Sequence, residues 1–567
     1  MLKTDVAIIG GGPAGSTVAA LLKKYKPSLD VTILEREKFP REHVGESHTP
    51  AISAILDEMG VWDKVEAENF PIKIGATFKW GATKDLWDTD FLQGDQFRDE
   101  PRPAKFVDQR TRTAFQVDRG VYDKVLLDHA RELGCRVLEE AHVRSIDHVD
   151  DSVSGLNVTS DSAEVREEIG EDGRVEARFY VDCTGEIGIL RRALDIEIEA
   201  PTALRNIAFY QYWQDAKWAV SLGIGGTRIQ IMSLDWGWLW FIPITPSRTS
   251  VGLVLPAEYY KASGKTVEEL YHEAITTEPL IKDLLTTATP EPEIYATKDW
   301  NFVSKRLAGK NWFLAGDSCG FADPILSAGM TLAHTSGRKA AFTILEIMRG
   351  VTKEQWLKDE YEAGHSTQIR HHMQFADFWY SSNGQFTDLK EYCQDIAETA
   401  GLTLAPEEAF RWLATGGFTL DEPGVAAALT YRVSGLKLVA VHLGGSVPEW
   451  EISKTNIWEL NYEGAKEDKF VRYLKGRVLP IPCMKRGTKT LPLIDSFKHV
   501  VNAFKRHSES IKILEDSVNA MIAQDHIDPQ DASLLAIEAM ETMMLEGWIS
   551  ATADPTKPFI KISESEI

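Results

Sequence analysis

Three glycines near the start of the chain have the spacing of a phosphate-binding turn. Gly10, Gly12 and Gly15 follow a short apolar run and precede a helical pattern. In such a turn the first glycine permits the tight bend, the second lets the backbone approach a pyrophosphate, and the third lets the helix pack on the strand. Glu35 ends the next apolar run, where an acid would bond a ribose hydroxyl. A solvated acid is the ordinary alternative for Glu35, but the combination favours a dinucleotide site.

Lys73 is a further candidate for chemistry. Ile72 and Ile74 flank it, so its amine lies in an apolar segment of the sequence. A lysine in an apolar segment usually extends its ammonium group into water. Burial would instead lower the pKa of this amine and leave a neutral nucleophile.

Two later turns indicate which dinucleotide is bound. Gly316 and Asp317 follow an apolar run, and the segment from Asp182 to Gly185 follows another. Either turn alone is common. Together with the first glycine turn, and in this order, they resemble the three fingerprints of the aromatic-hydroxylase-like flavoproteins. The resemblance implies that the chain binds FAD, with Asp317 near its ribityl or pyrophosphate region.

The elements that must position these residues follow from hydrophobic periodicity. The sequence predicts a β-α-β unit at the start, an aromatic inserted sheet over 72–106, an antiparallel sheet over 205–256, and a long helix over 329–348. After about residue 355 the pattern is mostly helical, with examples at 407–413, 496–504 and 532–545, and 474–492 resembles a connector. The expected fold class is α/β. It combines a Rossmann-like FAD-binding domain and inserted antiparallel sheet (1–355) with a mostly helical C-terminal domain (356–567).

Bulk composition excludes several classes of function. The formal net charge of the 567 residues is −23, which argues against nucleic acid and anionic membrane as partners. Five scattered cysteines indicate reduced thiols, and no metal-binding cluster is visible. The first residues enter a strand without a signal sequence, and no apolar run is long enough to span a membrane. We therefore expect a cytoplasmic enzyme.

Further motifs resemble the flavin-dependent halogenases, in particular their chloramphenicol-pathway-like and phenol-type branch. The resemblance covers roughly the first 350 residues. The motifs are Trp238-Leu239-Trp240-Phe241-Ile242-Pro243, Gly45-Glu46-Ser47 with Pro50, Lys73-Ile74-Gly75-Ala76 with Trp80-Gly81, Gln116-Val117-Asp118-Arg119, and the loop from Asp323 to Gly329.

This resemblance implies an activity and a set of site residues. A separate flavin reductase would supply FADH2, and O2 with chloride or bromide would give a hypohalous acid that reaches Lys73 and halogenates an electron-rich carbon. The implied catalytic residues are Lys73, Ser327 and Glu46, and the implied halide amides are Ala328 and Gly329. The implied FAD contacts are Gly10, Gly12, Ala14, Gly15, Glu35, Arg36, Arg41, Ser47, Gln116, Arg119, Val143, Asp299, Gly316, Asp317 and Gly329.

Trp238, Trp240 and Pro324 are expected to form a wall of the substrate pocket. Tryptophans two positions apart on a strand share one face and usually pack in a core. A bulky aromatic wall between flavin and substrate would also prevent direct oxygen transfer. The motif is therefore a mark of the family, and its link to mechanism is indirect.

The halide loop departs from the family in two respects. Tryptophan halogenases have a glutamate just before the loop serine, where this chain has Leu326. That change favours activated substrates such as phenols, pyrroles or enolisable carbonyls, free or tethered to a carrier protein. Ala328 replaces a threonine of many relatives, but backbone amides can hold chloride without a side chain.

Several alternatives stay open at this point. A flavin hydroxylase or epoxidase, a geranylgeranyl-reductase-like enzyme and a non-catalytic flavin binder all fit the same fold. The segment Asp299-Trp300 resembles one in which the aspartate carries an ester to FAD, and the alternative is an ordinary strand-end acid. The aromatics Phe375, Phe378, Trp379 and Tyr380 could cap the site or simply form core.

Overall fold

The computed structural model describes residues 1–562 apart from 81–84, 93–95, 203, 299–300, 383–449 and 488. The side chains of Leu326, Gln374, Phe375, Phe378, Ser381 and Ser382 are also outside the description. The predictions for Asp299-Trp300 and for a helix at 407–413 therefore lie outside the described residues.

The described strands of the first 350 residues form two large sheets and a small three-stranded one, with helices between some of the strands. The strands are β1 (Leu2–Ile9), β2 (Val31–Leu34), β3 (Ile72–Lys79), β4 (Leu86–Asp90), β5 (Ala114–Phe115), β6 (Arg136–Leu138), β7 (His142–Val149), β8 (Ser152–Thr159), β9 (Arg174–Asp182), β10 (Ile198–Glu199), β11 (Asn206–Gln214), β12 (Gly226–Ser233), β13 (Trp238–Pro243), β14 (Arg248–Pro256), β15 (Thr289–Pro290), β16 (Tyr295–Lys298), β17 (Phe302–Ser304), β18 (Trp312–Leu314), β19 (Gly320–Phe321), β20 (Ile457–Leu460), β21 (Lys466–Leu474), β22 (Arg477–Arg486), β23 (Lys489–Pro492) and β24 (Ile549–Thr552). The helices are α1 (Pro13–Tyr25), α2 (Pro50–Met59), α3 (Trp62–Ala67), α4 (Arg119–Glu132), α5 (Ala163–Ile169), α6 (Ile189–Ala193), α7 (Ala257–Ser263), α8 (Val267–Thr277), α9 (Pro279–Leu284), α10 (Ala328–Arg349), α11 (Glu354–Ser382), α12 (Asp495–Phe504), α13 (Ser510–Ala520) and α14 (Pro529–Leu545).

The first sheet is the dinucleotide-binding layer. Its strand order is β6-β2-β1-β9-β8-β7, with β18 paired to β9. The pairs β1/β2, β1/β9, β2/β6 and β9/β18 are parallel, so the carboxyl ends of these strands meet at one edge. Helices α1 and α10 pack together beside this sheet.

The second sheet is the predicted inserted one and has the order β15-β11-β14-β13-β12-β3-β4. Strands β11 to β14 pair antiparallel where adjacent, whereas β3 pairs parallel with β12. Both faces of this sheet are buried along β13, where alternate side chains belong to different hydrophobic clusters. Trp238, Trp240 and Ile242 join one hydrophobic cluster, and Leu239 and Phe241 join another on the opposite face.

The C-terminal region contains helices α12 to α14 and also two small sheets, β20-β24 and β21-β22-β23. The expectation that 474–492 is a connector is wrong, because this segment forms most of a hairpin sheet. Pro480 and Pro482 misled the interpretation. They pair only with β21, since β23 begins its pairing at Cys483, and proline is tolerated on an unpaired strand edge.

The division at residue 355 stays a prediction. Helix α11 begins at the proposed boundary and packs on α10. Strand β22 also contacts α10, with the Arg477 guanidinium donating to the buried Glu346 carboxylate at 2.8 Å.

Candidate active site

The glycine turn lies between β1 and α1, and its three glycines differ in how closely other atoms approach them. Gly10 has a φ of +102°, and a Cβ there would lie 2.4 Å from the Cys183 carbonyl oxygen. A Cβ at Gly15 would lie 2.0 Å from the Gly10 carbonyl oxygen. At Gly12 the nearest atom would be an Arg41 nitrogen at 3.4 Å. Gly10 and Gly15 are therefore required by packing, whereas Gly12 faces free space.

Glu35 is fixed beside this turn at the end of β2. Its carboxylate accepts hydrogen bonds from the backbone amides of Gly11 (2.6 Å) and Glu37 (2.8 Å). Its side chain is 5% exposed. Both oxygens are thereby oriented toward the loop at the carboxyl edge of the sheet.

A cavity of about 850 Å³ extends from the glycine turn to the second sheet. It brings together most of the residues predicted from sequence. They are Gly10, Gly12, Ala14, Glu35, Arg36, Arg41, Glu46, Ser47, Arg119, Val143, Trp238, Trp240, Gly316, Asp317, Pro324, Ser327 and Gly329. Gly15, Lys73, Gln116 and Ala328 do not line the cavity, and Asp299 is not described.

Two arginines on the cavity wall, Arg41 and Arg119, share one fully buried aspartate behind it. Arg119 makes a two-point ion pair with Asp123, with both N···O distances at 2.8 Å. Arg41 lies 3.4 Å from the same carboxylate. Its Nη1 is buried and has no hydrogen-bond partner among the described residues. A buried guanidinium nitrogen on a cavity wall fits a phosphate oxygen.

Two carboxyl groups lining the cavity have pKa values raised to near neutral pH. Burial raises the pKa of Glu46 to about 7, although the Tyr212 hydroxyl donates to it at 3.1 Å. Burial also raises the pKa of Asp317 to about 7, with Glu186 adding repulsion. Near neutral pH both groups can therefore give or take a proton.

Lys73 lies on β3 behind the cavity wall and is 3% exposed. Its Nζ donates to Ser47 Oγ at 2.8 Å and to Ser327 Oγ at 3.4 Å, and these two hydroxyls are 3.0 Å apart. The Phe91 ring centre is 5.3 Å from Nζ. Burial lowers the pKa of Lys73 from its ordinary 10.5 to about 7. The amine is thus separated from the cavity by two serines that face it.

The loop from Asp323 to Ser327 leads into the amino terminus of α10. Ser327 has a φ of +58°, and Ala328 begins the 22-residue helix. The first amides of a helix have no partner within it and carry the positive end of its dipole. This terminus is suited to an anion. Ala328 would contact an anion only through its backbone amide, because its methyl side chain cannot donate a hydrogen bond.

The tryptophan wall lies on one face of β13. The indole of Trp238 lies 6.0 Å, centre to centre, from that of Trp240. Gly252 is the cross-strand partner of Trp240, and a Cβ there would lie 2.2 Å from its ring. The absence of a side chain at Gly252 thus gives Trp240 its place against the cavity.

Sequence reasoning missed several partners of these residues. Asp123 carries a detectable signal, because it follows Arg119 by four positions on a helix. Tyr212 and Phe91 have no such signal. Tyr212 lies 166 positions from Glu46, and Phe91 comes near Lys73 only through the pairing of β3 with β4. Trp379 and Tyr380 are buried in the tryptophan cluster, as core residues should be. Gln116 is buried beside Ser47, and its amide atoms have no partner among the described residues.

The described part of the chain offers neither a metal cluster nor a membrane-spanning helix. No group of three or more His, Cys, Asp or Glu residues there could hold a metal ion. No helix there is long and apolar enough to cross a membrane.

Comparison with known proteins identifies a matching family and several relatives. Residues 3–376 match the FAD binding domain family. The chain is 33% identical over 350 residues to a tryptophan 2-halogenase of Chondromyces crocatus, covering 61% of this chain and 62% of the relative. It is 31% identical over 394 residues to a 1H-pyrrole-2-carbonyl-[peptidyl-carrier protein] chlorinase of Pseudomonas fluorescens, covering 68% and 85%.

Solved structures agree with the sequence relatives. The myxobacterial chondrochloren halogenase CndH is 26% identical, with a TM-score of 0.61, and the match covers 79% of this chain and 98% of that one. The flavin-dependent halogenase CmlS is 24% identical with a TM-score of 0.72 over 99% of this chain and 98% of that one, which shows a shared fold. The three-part FAD fingerprint, the buried Arg41 Nη1 on the cavity wall and these matches agree, and the chain belongs to the FAD-binding flavoproteins of the flavin-dependent halogenase family.

Proposed function

We propose that this protein halogenates an electron-rich aromatic or enolisable carbon with FADH2, O2 and chloride or bromide. For chloride, FADH2, O2, Cl⁻ and H⁺ give FAD, hypochlorous acid and water. The acid then replaces a C–H hydrogen by chlorine and releases water. The observation that carries the proposal is the Lys73 amine, buried and hydrogen-bonded to Ser47 and Ser327.

The cavity residues fit FAD in a defined direction. Gly12 and the first amides of α1 would contact the pyrophosphate, with Arg41 Nη1 as a further donor. Glu35 would accept from the adenosine ribose. Reduced FAD would supply the two electrons that O2 needs to oxidise the halide. Arg36, Arg119, Val143 and Asp317 would contact the rest of the cofactor.

The amides of Ala328 and Gly329 at the amino terminus of α10 would hold the halide. Glu46 lies in the cavity with a pKa of about 7, so its carboxyl can deliver the proton that the overall reaction consumes. Trp238, Trp240 and Pro324 would keep the organic substrate away from the cofactor.

Lys73 would receive the hypohalous acid. A neutral amine can hold it by a hydrogen bond or react with it to give a chloramine and water. Transfer of chlorine from that chloramine to the substrate carbon, with return of the carbon's proton to nitrogen, restores the amine. The two serines keep Nζ directed toward the cavity in either case.

The relatives and the loop sequence narrow the substrate class. One relative is named for a carrier-bound pyrrole and another for tryptophan. Leu326 stands where tryptophan halogenases have glutamate, so we favour activated rings or enolisable carbonyls, free or carrier-tethered. A separate flavin reductase would supply the reduced cofactor.

Attachment of FAD at Asp299 is a separate question with two alternatives. An ester would keep the yellow colour in an acid precipitate of the wild type and lose it in Asp299→Ala. A non-covalent cofactor would leave all the colour in the supernatant of both proteins.

The second candidate function is oxygen insertion by the same cofactor. One observation favours it, because the cavity continues over an apolar face of the second sheet that includes Tyr210, Ile231 and Ile242. A substrate lying there would be next to the cofactor rather than next to Lys73.

Product mass distinguishes the two candidates. The protein is supplied with a flavin reductase, NADH and a panel of phenols, pyrroles and carrier-bound thioesters, with chloride, bromide or neither. A halide-dependent isotope pair supports halogenation. A gain of one oxygen without halide dependence supports the hydroxylase, and FAD binding without turnover overturns both.

A further inference from the structure

A buried hydroxyl on α11 joins the tryptophan wall to the loop before α10. Tyr380 Oη accepts a hydrogen bond from Trp238 Nε1 at 2.6 Å. It donates toward the Asp323 carboxylate, with distances of 3.1 and 3.2 Å to the two oxygens. Trp238, Tyr380 and Asp323 are each at most 2% exposed.

Asp323 in turn fixes the shape of the loop. Its Oδ1 accepts from the Ile325 backbone amide at 3.0 Å, which caps the turn Pro324–Leu326. Its Oδ2 accepts from Asn206 Nδ2 on β11 at 3.1 Å. Ser327 follows immediately in its left-handed conformation, and α10 begins at the next residue. The orientation of the first amides of α10 therefore depends on how firmly this carboxylate is held.

We propose that Tyr380 is a positioning residue for the halide site, because its hydroxyl locks the Asp323–Ser327 loop against Trp238. The proposal rests on the proposed function only in taking the amino terminus of α10 as the place where halide binds. It assigns to α11 a task in the reaction, although none of the α11 side chains that the structure describes lines the cavity.

The burial of Asp323 makes the hydroxyl important. A buried carboxyl group needs hydrogen-bond partners, and losing one leaves the remaining partners to satisfy its oxygens. Without the Tyr380 proton, the loop would sample more orientations and its amides would converge less well on an anion. Ring packing against Trp80, at 5.8 Å between centres, would be retained in a phenylalanine variant.

The chain offers a matched control on the other face of the same sheet. Tyr271 of α8 accepts from Trp213 Nε1 at 3.0 Å and donates to the Val251 carbonyl oxygen at 3.1 Å. This is the same tryptophan-to-tyrosine relay in an equally buried place, but it ends on a strand backbone instead of on the loop. Tyr271→Phe therefore reports the stability cost of losing such a hydroxyl.

The test compares the wild type, Tyr380→Phe and Tyr271→Phe. The first measurement is the rise in Tm of the resting holoprotein on adding sodium chloride, relative to sodium acetate at equal ionic strength. The second is the split between KM for chloride and kcat for product. Tyr380→Phe should lose most of the chloride-specific rise and increase KM for chloride about five-fold, the effect of one hydrogen bond. Its kcat at saturating chloride should change less than two-fold.

Each outcome decides the proposal. It is overturned if Tyr380→Phe keeps the wild-type chloride response, or if the response falls equally in Tyr271→Phe. A wild type without any chloride-specific rise in Tm also overturns it. If the wild type shows that rise but forms no halogenated product, the proposed function fails while the Tm comparison still tests Tyr380.

Discussion

Replacing Lys73 by methionine should make the protein more stable and inactive at the same time. Burial lowers the pKa of Lys73 from 10.5 to about 7. The folded state therefore releases a proton that the unfolded state keeps. At pH 7 this costs about 4 kcal/mol of the free energy of unfolding. Loss of the hydrogen bonds to Ser47 and Ser327 would remove about 1 kcal/mol each. The expected net gain for Lys73→Met is about 2 kcal/mol, a rise of a few degrees in Tm.

The pH dependence of this gain has a definite sign. Below pH 7 the amine is protonated in both states, and the full cost is present. Between about pH 7 and 10.5 the unfolded wild type binds more protons than the folded one, so wild-type stability rises with pH. The variant lacks this group, and the gap in Tm should close over the same window. Because the comparison is a difference between two proteins, titration of Glu46 and Asp317 affects both alike.

The assay is thermal unfolding of both proteins from pH 6 to 10, paired with product formation. Lys79→Met is the matched control on the same strand. Its Nζ lies 2.9 Å from Glu278, whose side chain is 3% exposed. Removing that lysine leaves a buried carboxylate unpaired and should lower Tm. Lys73→Met should form no halogenated product while retaining FAD binding and NADH-linked O2 consumption. A lower Tm for Lys73→Met at every pH, or near-normal halogenation, would refute the reasoning.

Three further predictions concern the cavity. Gly12→Asp should weaken FAD binding at least about 100-fold, because a carboxylate would face the pyrophosphate. Gly12→Ala adds an uncharged methyl group, whose nearest protein atom would lie at 3.4 Å, and should weaken FAD binding less. Equal FAD content in an absorbance measurement of both variants would contradict the placement. Arg41→Ala should raise the Kd for FAD about ten- to a hundred-fold through loss of a charge-assisted hydrogen bond, and a change under two-fold in a fluorescence titration would exclude that role. Gly252→Ala should lower the free energy of unfolding by about 1–3 kcal/mol, since its Cβ would lie 2.2 Å from Trp240; an unchanged Tm would show that the indole can move.

Local sequence was sufficient to predict the parts of the site that depend on short-range geometry. Gly10 and Gly15 are needed because one strand, one turn and one helix pack closely within the same segment, and their spacing records that packing. The alternation along β13 likewise follows from the two-residue period of a strand, so the tryptophans could be placed on one face before the sheet was known.

Only the tertiary structure decided how Lys73 and the halide loop are held. The serines that bond Lys73 are 26 and 254 positions away in sequence. Tyr380 reaches Trp238 across 142 positions and Asp323 across 57. Hydrophobic periodicity reports which face of an element is buried, but not which distant element covers it. The depth that lowers the Lys73 pKa, and the hydroxyl that locks the loop, arise from contacts that exist only once both sheets and α11 have packed together.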